Sequence, residues 1–253
     1  MSERFTYSYR HVKASIVVPA YNEEKLLAQT IASIRQSAEV FTKGGWSWEL
    51  IVCDNNSTDS TAEVARETGA KIVFEPINQI SRARNAGAAA AAGDWLIFID
   101  ADTLPSPAIF SRTRRIAESG QHLAVGANIQ FETTVLWAHA FADGWNTISR
   151  RFHWAAGSYL AARTEAFRQL GGFSNELFVS EEIDLSIRLN REARRRQLEP
   201  LAVIEDALIK TSGRKLDLYS TREHLVFLWK TATSFSGAMR EPEACHIWYD
   251  GRR

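Results

Sequence analysis

The chain has 253 residues, of which 45% are hydrophobic, enough apolar material for the core of one α/β domain or of two small ones. Its 30 Lys and Arg residues balance 30 Asp and Glu residues, so no net charge favours nucleic acid or strong attraction to an anionic membrane. The two cysteines form no disulfide framework and no zinc spacing, which fits a reducing compartment. Residues 1–13 contain no signal-like apolar run, and no window reaches the roughly 18 apolar residues that span a bilayer, so we expect a soluble, cytoplasmic protein.

The first hundred residues alternate between strand-like and helix-like runs. Residues 14–20 form the first predicted strand, and a helix to about residue 41 follows, with Asn22 as its expected N-cap. Further strands are predicted at 48–53, 70–74 and 95–99, with one intervening helix ending near residue 68 and another spanning 80–92. This alternation predicts a parallel sheet with helices on its faces.

The rest of the chain continues in a less regular order. The predicted elements are a helix beginning at Pro105 and Pro107, strands at 123–131, 155–162 and 201–210, and helices at 180–194 and 216–238. Glu205 and Asp206 interrupt the last of these strands. No repeat or linker rich in Pro, Gly or Ser divides the chain, so we expect one domain over residues 1–253. The predicted fold class is α/β, with a single doubly wound, mostly parallel mixed sheet and helices on both faces.

Residues 134–154 are rich in aromatic side chains, among them Trp137, Trp145 and Trp154. Because aromatic side chains bury large areas, the main interpretation is that they belong to the core. The alternative is a surface that stacks on sugars or lies at a lipid edge.

Two carboxylates, Asp100 and Asp102, directly follow the predicted strand at 95–99. The ligand crevice of an open parallel sheet lies beyond the carboxyl ends of its strands, so both acids should face it. Two carboxylates this close are costly unless a positive charge lies between or near them, and Mg²⁺ or Mn²⁺ shared with substrate phosphates is the usual cation. The alternative is that Asp102 caps the helix beginning near Pro105.

Polar clusters also end two earlier strands, at residues 19–23 and 54–59. Carboxylates and amides gathered around one crevice suit a nucleotide, whose base and ribose need fixed donors and acceptors. Asp54 is suited to accept from a base N–H, and Asp100 from ribose hydroxyls. The alternative for residues 54–58 is simple helix capping by a turn-rich loop.

Two further charged clusters bear on catalysis. Arg82 and Arg84 begin a helix, and both helix N-termini and guanidinium groups attract phosphate, although two residues this close point differently and only one should reach the site. Glu181 and Glu182 lie in the first turn of a later helix, where acids complement the helix dipole. A carboxylate there that faces the crevice is placed to take a proton from an attacking hydroxyl, worth roughly 100- to 10,000-fold in rate.

Taken in order, these clusters resemble the family 2 glycosyltransferases, which have the nucleotide-diphospho-sugar transferase type A fold. The resemblance spans roughly residues 14–191, and the ordered set is far more specific than any one cluster. The residues that carry it are Val17-Val18-Pro19-Ala20-Tyr21-Asn22-Glu23-Glu24, Asp54-Asn55-Asn56-Ser57-Thr58-Asp59, Arg82-Ala83-Arg84-Asn85-Ala86-Gly87, Asp100-Ala101-Asp102, Gly171-Gly172-Phe173 and Glu181-Glu182-Ile183-Asp184-Leu185.

The resemblance implies a nucleotide-binding half at 14–103, an acceptor and catalytic half at 104–215, and a C-terminal helix and tail at 216–253. It implies metal-dependent, inverting transfer of a sugar from a nucleoside-diphospho-sugar to a hydroxyl acceptor, with no nucleic-acid partner and with peripheral membrane contact left open. Asp102 would hold Mg²⁺ or Mn²⁺, and Glu182 or Glu181 would be the catalytic base. The expected substrate-binding residues are Pro19, Ala20, Tyr21, Glu23, Asp54, Asn55, Arg84, Asp100, Gly157 and Arg214.

Two departures from the family pattern leave alternatives open. The base position holds Glu182 where relatives usually have Asp, so the neighbouring Glu181 is an alternative base. Where many relatives carry a metal-binding His, this chain reads Lys210 to Arg214, so the third ligand would be absent, a water, or His224 or His246. Arg214 and Lys215 are suited instead to neutralise the leaving diphosphate.

Two other functions compete with a transferase. Residues 97–103 also fit the Asp-x-Asp-x-Thr signature of haloacid-dehalogenase-type phosphatases, with Asp100 as nucleophile, although that signature normally lies on the first strand of its domain. The second rival is a protein that binds nucleotide sugars without turnover.

Overall fold

The first half of the fold is a run of four parallel strands. A computed structural model describes residues 14–213, and Cys245 and the predicted helix at 216–238 lie outside this range. The elements are β1 (Ala14–Ala20), α1 (Leu27–Lys43), β2 (Trp48–Asp54), α2 (Thr61–Glu67), β3 (Lys71–Phe74), α3 (Ile80–Ala89) and β4 (Trp95–Ile99). The strands lie side by side in the order β3-β2-β1-β4, and every pairing among them is parallel, which confirms the prediction.

The second half extends the same sheet with antiparallel pairings. The elements are β5 (Thr103–Leu104), α4 (Pro107–Ser119), β6 (Ala124–Glu132), α5 (Leu136–Phe152), β7 (Tyr159–Arg163), α6 (Thr164–Gln169), α7 (Glu181–Arg195) and β8 (Ala202–Ser212). Strand β7 lies between β4 and β6 and runs antiparallel to both, whereas β6 and β8 are parallel and β5 closes the edge antiparallel to β8. The full order is β3-β2-β1-β4-β7-β6-β8-β5.

Helices cover both faces of this sheet. Along β1, Ile16 and Val18 point into one apolar cluster and Val17 into another, as the two-residue period of a strand requires. Helices α1 and α4 contribute to the first cluster, and α3, α6 and α7 contribute to the second. The predicted fold class, a doubly wound mixed sheet with helices on both faces, is therefore confirmed.

The start of the first helix was predicted wrongly. Helix α1 begins at Leu27, and Asn22 lies before it in a left-handed conformation (φ 53°), so it is not the N-cap. The Asn22 side-chain oxygen accepts from the Thr58 backbone N–H (2.8 Å), and its own backbone N–H donates to Ser57 (3.0 Å). Asn22 therefore ties the loop after β1 to the loop after β2 instead of capping a helix.

The aromatic-rich segment is a helix, α5, which the sequence did not predict as one. Trp145 packs against the core, whereas Phe141 and Phe152 are 43% and 51% exposed, so the segment is part core and part surface. The expected interruption of the last strand is present, because Ala127 pairs with Ile204 and the next residue of β6 pairs with Leu208. Across residues 14–213, no helix has the length and apolar character needed to cross a membrane.

Helix α1 also holds the loop that follows β4. Thr30 donates its hydroxyl to the Ala101 carbonyl (2.7 Å), and both Ser33 and Ser37 donate to the Pro105 carbonyl (2.9 Å each). The short strand β5 then pairs with β8, which fixes the far side of the same loop. The segment containing Asp102 is therefore anchored from two directions.

Candidate active site

The carboxyl ends of β1 and β2 bring together the first two predicted polar clusters. Ala20 is in register with Asp54, and the Asn55 backbone N–H donates to the Ala20 carbonyl (2.8 Å). The Asp54 side chain is buried and accepts from the Ser57 backbone N–H (3.1 Å). Pro19, paired with Cys53 one step earlier, lies at the same edge. Tyr21, which follows Ala20 directly, is half-buried.

Two of the predicted substrate-binding residues hold loops in place within the protein. The Asn55 amide donates to the Glu75 and Ile77 carbonyls (3.2 and 2.6 Å), and its oxygen accepts from the Gln79 backbone N–H (2.9 Å). The buried Glu23 donates its backbone N–H to the Thr61 hydroxyl (2.7 Å). The Asn55 side chain is thus engaged by residues 75–79 and does not point freely into the crevice.

Arg84 joins the end of β4 to the start of α7. Its guanidinium donates to Asp100 Oδ1 (2.7 Å), to Glu181 Oε1 (2.5 Å) and to the Gly157 carbonyl (2.8 Å). The Arg84 side chain is 2% exposed, and those of Asp100 and Glu181 are 28% and 4% exposed. Burial alone would lower the pKa of Arg84, but the charges of Asp100 and Glu181 outweigh it and raise that pKa. The guanidinium is therefore a fixed cation between two carboxylates.

Glu182, the second residue of α7, lies beside this group. A Cβ atom placed on Gly157 would lie 3.6 Å from the Glu182 carboxyl carbon and 3.3 Å from an Arg84 nitrogen, so Gly157 is where the backbone approaches both. Burial, and next the nearby charge of Glu181, raise the pKa of Glu182 to about 8, with Arg84 opposing the shift. Burial also raises the pKa of Glu181, against the opposing charge of Arg84. A carboxyl group poised near neutral pH is suited to proton transfer.

Asp102 does not cap the next helix. The N-cap of α4 is Ser106, whose hydroxyl accepts from the Ile109 backbone N–H (3.4 Å). The Asp102 carbonyl accepts from the Ser212 backbone N–H (3.1 Å), which joins the loop after β4 to the end of β8. A small cavity of about 110 Å³ opens here, lined by Leu26, Gln29, Thr30, Asp102, Leu104, Glu132 and Ser212.

The side chains present fit a divalent cation that is bound together with a ligand. Within residues 14–213, no group of three or more His, Cys, Asp or Glu side chains is arranged to hold a metal. Mg²⁺ commonly binds through one or two carboxylates plus substrate phosphates and keeps several waters, and Mn²⁺ also favours carboxylate oxygens. Asp102 would supply such a carboxylate, and the remaining ligands would be phosphate oxygens and waters. Arg214, Lys215, His224 and His246 lie outside the described residues.

The two arginines of α3 have different partners. Arg82 Nε donates to the Gln79 side chain (3.1 Å), whereas Arg84 enters the buried carboxylate group. Gly87, at the end of the same motif, allows α3 to lie against β1, because a Cβ there would be 2.4 Å from Val17 Cγ1. Close packing of α3 on the sheet is therefore what brings Arg84 to Asp100.

Sequence reasoning missed the contacts between α3 and the segment before α7. The Asn85 side chain donates to the Phe173 carbonyl (2.9 Å) and accepts from the Phe173 backbone N–H (3.0 Å). The Gln79 side chain donates to the Asn175 and Leu177 carbonyls (2.9 and 3.0 Å). Asn85 and the Gly171-Gly172-Phe173 turn both belong to the ordered motifs, so the sequence marked each of them. It gave no sign that they contact each other, because no local pattern relates residues so far apart in the chain.

Comparison with known families identifies the class of protein that this fold and site define. Residues 15–169 match the family described as "Glycosyl transferase family 2". Because this match covers more than half of the sequence, the chain belongs to glycosyltransferase family 2.

Curated relatives match over part of their lengths. The chain is 27% identical over 124 residues to dolichol-phosphate mannosyltransferase of Pyrococcus furiosus, covering 46% of this chain and 33% of that protein. It is 40% identical over 96 residues to 4,4'-diaponeurosporenoate glycosyltransferase of Staphylococcus haemolyticus, covering 35% of this chain and 24% of that protein. The alignments thus span a third or less of the length of these two relatives.

Solved structures share the fold across nearly the whole chain. A mannosyltransferase of Pyrobaculum calidifontis, in complex with GDP-Man and Mn²⁺, has a TM-score of 0.68 at 16% identity, covering 94% of this chain and 65% of that chain. Glucosyl-3-phosphoglycerate synthase of Mycobacterium tuberculosis, in complex with Mn²⁺, UDP and phosphoglyceric acid, has a TM-score of 0.57 at 22% identity, covering 82% of this chain and 73% of that chain. These likenesses show the nucleotide-diphospho-sugar transferase fold.

Proposed function

We propose that this chain transfers a sugar from a nucleoside-diphospho-sugar to a hydroxyl acceptor, with metal dependence and with inversion at the anomeric carbon. The observation that carries the proposal is that Arg84 binds Asp100 and Glu181 at once. The end of β4, where a donor would lie, is thereby adjacent to the first turn of α7, where a base would lie. Membership of glycosyltransferase family 2 supports the same reaction.

The donor is assigned to the carboxyl ends of β1, β2 and β4. Asp54 and the backbone of Pro19 to Tyr21 would hold the nucleotide base, and Asp100 would accept from the ribose hydroxyls. Parallel strands that end at one edge make the crevice in which nucleotides bind to sheets of this kind, which supports the assignment. Asp102 would hold Mg²⁺ or Mn²⁺, and the bound ion would neutralise charge on the departing diphosphate.

Glu182 is assigned as the general base. Its carboxylate takes the proton of the acceptor hydroxyl as that oxygen bonds to the anomeric carbon, and the bond from that carbon to the diphosphate oxygen breaks. Attack from the side opposite the leaving group inverts the configuration. Glu182 lies beside Gly157 and Arg84 with a raised pKa, whereas Glu181 is bonded to Arg84, which favours Glu182 over Glu181 for this role.

Peripheral membrane contact through α5 is also part of the proposal. Phe141, Ile148 and Phe152 are 43%, 42% and 51% exposed and share one face of the helix, and the Arg151 guanidinium lies 5.7 Å from the centre of the Phe152 ring. Exposed aromatic side chains next to a cation suit a lipid–water interface. We also retain a cytoplasmic location from the cysteine usage.

Vesicle binding tests this contact. We expect a Phe141→Ser, Phe152→Ser double variant to lose sedimentation with anionic vesicles. Phe74→Ser serves as the matched control, because Phe74 is 58% exposed on the distant edge strand β3 and its loss should leave sedimentation unchanged. Equal loss in both variants would contradict a specific role for α5.

Release of nucleoside diphosphate tests the transferase proposal directly. The full chain is incubated with GDP-mannose or UDP-N-acetylglucosamine, with and without Mn²⁺, and with p-nitrophenyl phosphate in parallel. Mn²⁺-dependent release from a nucleotide sugar supports the proposal. Metal-dependent nucleotide binding without any release would indicate a binding protein.

The phosphatase alternative is not favoured. The family match points to glycosyltransferases, and β4 is the fourth strand of the domain, not the first. Asp100 Oδ1 accepts from the buried Arg84, which holds that carboxylate as one half of an ion pair. Hydrolysis of p-nitrophenyl phosphate alone would restore this alternative.

A further inference from the structure

Helix α3 and its N-cap residue, Gln79, contact the segment that leads into α7. Gln79 donates to two carbonyls of this segment, and Asn85 bonds both backbone groups of Phe173. Arg84 binds Glu181, the first residue of α7. Contacts from the helix and its N-cap therefore span residues 173–181, which is the whole approach to the proposed base.

Arg84 connects α3 to more than one part of the chain. Its terminal nitrogens bind residues in three separate parts of the chain: Asp100 after β4, Gly157 before β7 and Glu181 on α7. Its Nε is buried and has no hydrogen-bond partner among the described residues. The guanidinium also lies 5.3 Å from the centre of the Phe173 ring. Two carboxylates already neutralise this cation in the interior.

These contacts leave Arg84 poorly suited to bind a phosphate. Its side chain is 2% exposed, so a diphosphate would have to displace Asp100 or Glu181 to reach it. Displacing one partner of a buried ion pair leaves an uncompensated charge, which is strongly unfavourable. The burial and pairing of Arg84 therefore argue against the sequence-based expectation that it contacts the substrate.

We infer that Arg84, supported by Asn85, is a positioning residue that locks the first turn of α7, and with it Glu182, against the donor edge at Asp100. The inference rests on the proposed function in one respect, which is that Glu182 is the base. A guanidinium fork fixes two carboxylates in direction as well as in distance, which a Lys ammonium does not do. A displacement of about 1 Å at a reacting group costs on the order of 100-fold in rate.

The test compares Arg84→Lys and Asn85→Ala with the wild type, and uses Arg66→Gln as the control, because Arg66 lies on α2, is 60% exposed and pairs with Glu63. Asn85→Ala leaves no buried charge unpaired. It therefore still tests whether α3 positions the start of α7 if Arg84→Lys folds poorly. For each full-length protein, kcat and KM are measured with the donor that the wild type uses. Affinities for UDP, GDP and their monophosphates, and hydrogen exchange over residues 173–185, are measured in parallel.

The inference predicts a loss in kcat, not in phosphate recognition. We expect kcat to fall roughly 100-fold in Arg84→Lys and about tenfold in Asn85→Ala, with the ratio of diphosphate to monophosphate affinity unchanged within about twofold. Residues 173–185 should exchange faster in both variants and at the wild-type rate in Arg66→Gln. A purely structural weakening would instead lower stability and spread faster exchange over the whole sheet.

Two results would overturn the inference. One is a fall in diphosphate affinity in Arg84→Lys with monophosphate affinity unchanged, which would make Arg84 a phosphate ligand. The other is unchanged exchange over residues 173–185 in both variants. If the wild type itself releases no nucleoside diphosphate from any donor, the proposed function fails, and the exchange data still decide whether Arg84 holds α7.

Discussion

Arg84 donates to Glu181 across 2.5 Å in the interior of the protein, where the two side chains are 2% and 4% exposed. The two residues are 97 positions apart in the chain. An ion pair this deeply buried occupies Glu181 fully, because breaking it would leave a bare charge out of contact with water. This engagement of Glu181 supports the proposal that Glu182, the other of the two adjacent glutamates, is the base.

Exchanging each glutamate for glutamine separates their roles. We expect Glu182→Gln to keep nucleoside diphosphate affinity within about twofold and to lower transfer by roughly 100- to 10,000-fold, because only the proton acceptor is lost. We expect Glu181→Gln to lower the free energy of unfolding by about 3–5 kcal/mol, because it removes a partner of a buried cation. Calorimetry, kinetics and denaturant unfolding measure these effects. Full activity in Glu182→Gln, with activity lost in a stable Glu181→Gln, would reverse the assignment.

The raised pKa of Glu182 predicts a pH dependence of the rate. A general base works when it is deprotonated, so kcat/KM should rise with pH and level off above about pH 8, the pKa to which burial and the charge of Glu181 bring this group. The pH profile of kcat/KM for donor turnover measures this rise. A rate that is flat between pH 5 and pH 9 would contradict a base with a raised pKa.

The same shift predicts a pH dependence of stability. A folded-state pKa near 8, against an ordinary value of 4.5, means that the folded protein holds this proton more tightly than the unfolded chain. The Glu182 contribution to the free energy of unfolding is therefore fully present below about pH 4.5 and is lost as the pH rises toward 8. Glu182→Gln should remove this decline, so its stability relative to the wild type should increase over that interval. A constant difference between the two proteins would contradict it.

Local patterns were sufficient to predict the first half of the fold. Alternating strands and helices up to Ile99 needed only the apolar period and turn residues, and their parallel pairing followed from the helical crossovers. Helix α5 escaped prediction because Phe141, Ile148 and Phe152 lie on its exposed side. The helix consequently has apolar side chains both toward the core and toward solvent, which hides the 3.6-residue period.

The carboxylates of the candidate site could be predicted from the sequence, but the contacts between its residues could not. Carboxylates at strand ends identified Asp54, Asp100 and Asp102, because chain direction alone places those ends at one edge. The partners of Arg84 were not predictable, since Asp100 and Glu181 reach it only through tertiary packing. A cation predicted to bind phosphate therefore lies between two carboxylates of the protein.

Two glycines in helices should respond oppositely to alanine. Gly87→Ala should lower stability by about 1–3 kcal/mol, because the new Cβ would lie 2.4 Å from Val17 Cγ1 and force α3 away from β1. Gly144→Ala, in α5, should raise stability by about 0.5–1 kcal/mol, because no atom of residues 14–213 beyond its own stretch of helix lies within 4 Å of the added Cβ and alanine favours helix. Denaturant unfolding compares the two. A rise in stability in both variants would show that helix propensity outweighs the contact with Val17, and a fall in both would contradict the expected gain at Gly144.

Gly157→Ala should reduce turnover more than stability. The added methyl group would be in ordinary contact with the Glu182 carboxyl carbon (3.6 Å) but only 3.3 Å from an Arg84 nitrogen, so the guanidinium that holds the start of α7 would have to shift by a few tenths of an ångström. We expect kcat to fall about tenfold, because small displacements of a base are costly. Gly144→Ala is the control for the kinetics, and an equal fall in both variants would rule out a specific effect at Glu182.

The central claim is that Asp102 and the strand ends bind a nucleoside diphosphate together with a divalent cation. Calorimetric titration of the wild type and Asp102→Ala with UDP and GDP, in Mn²⁺ and in chelator, tests it most directly. We predict that the wild type binds at least one nucleotide in Mn²⁺, and that both chelator and Asp102→Ala weaken this binding at least tenfold, since each removes part of the cation site. Equal affinity in Mn²⁺ and in chelator, or binding undiminished in Asp102→Ala, would contradict the account.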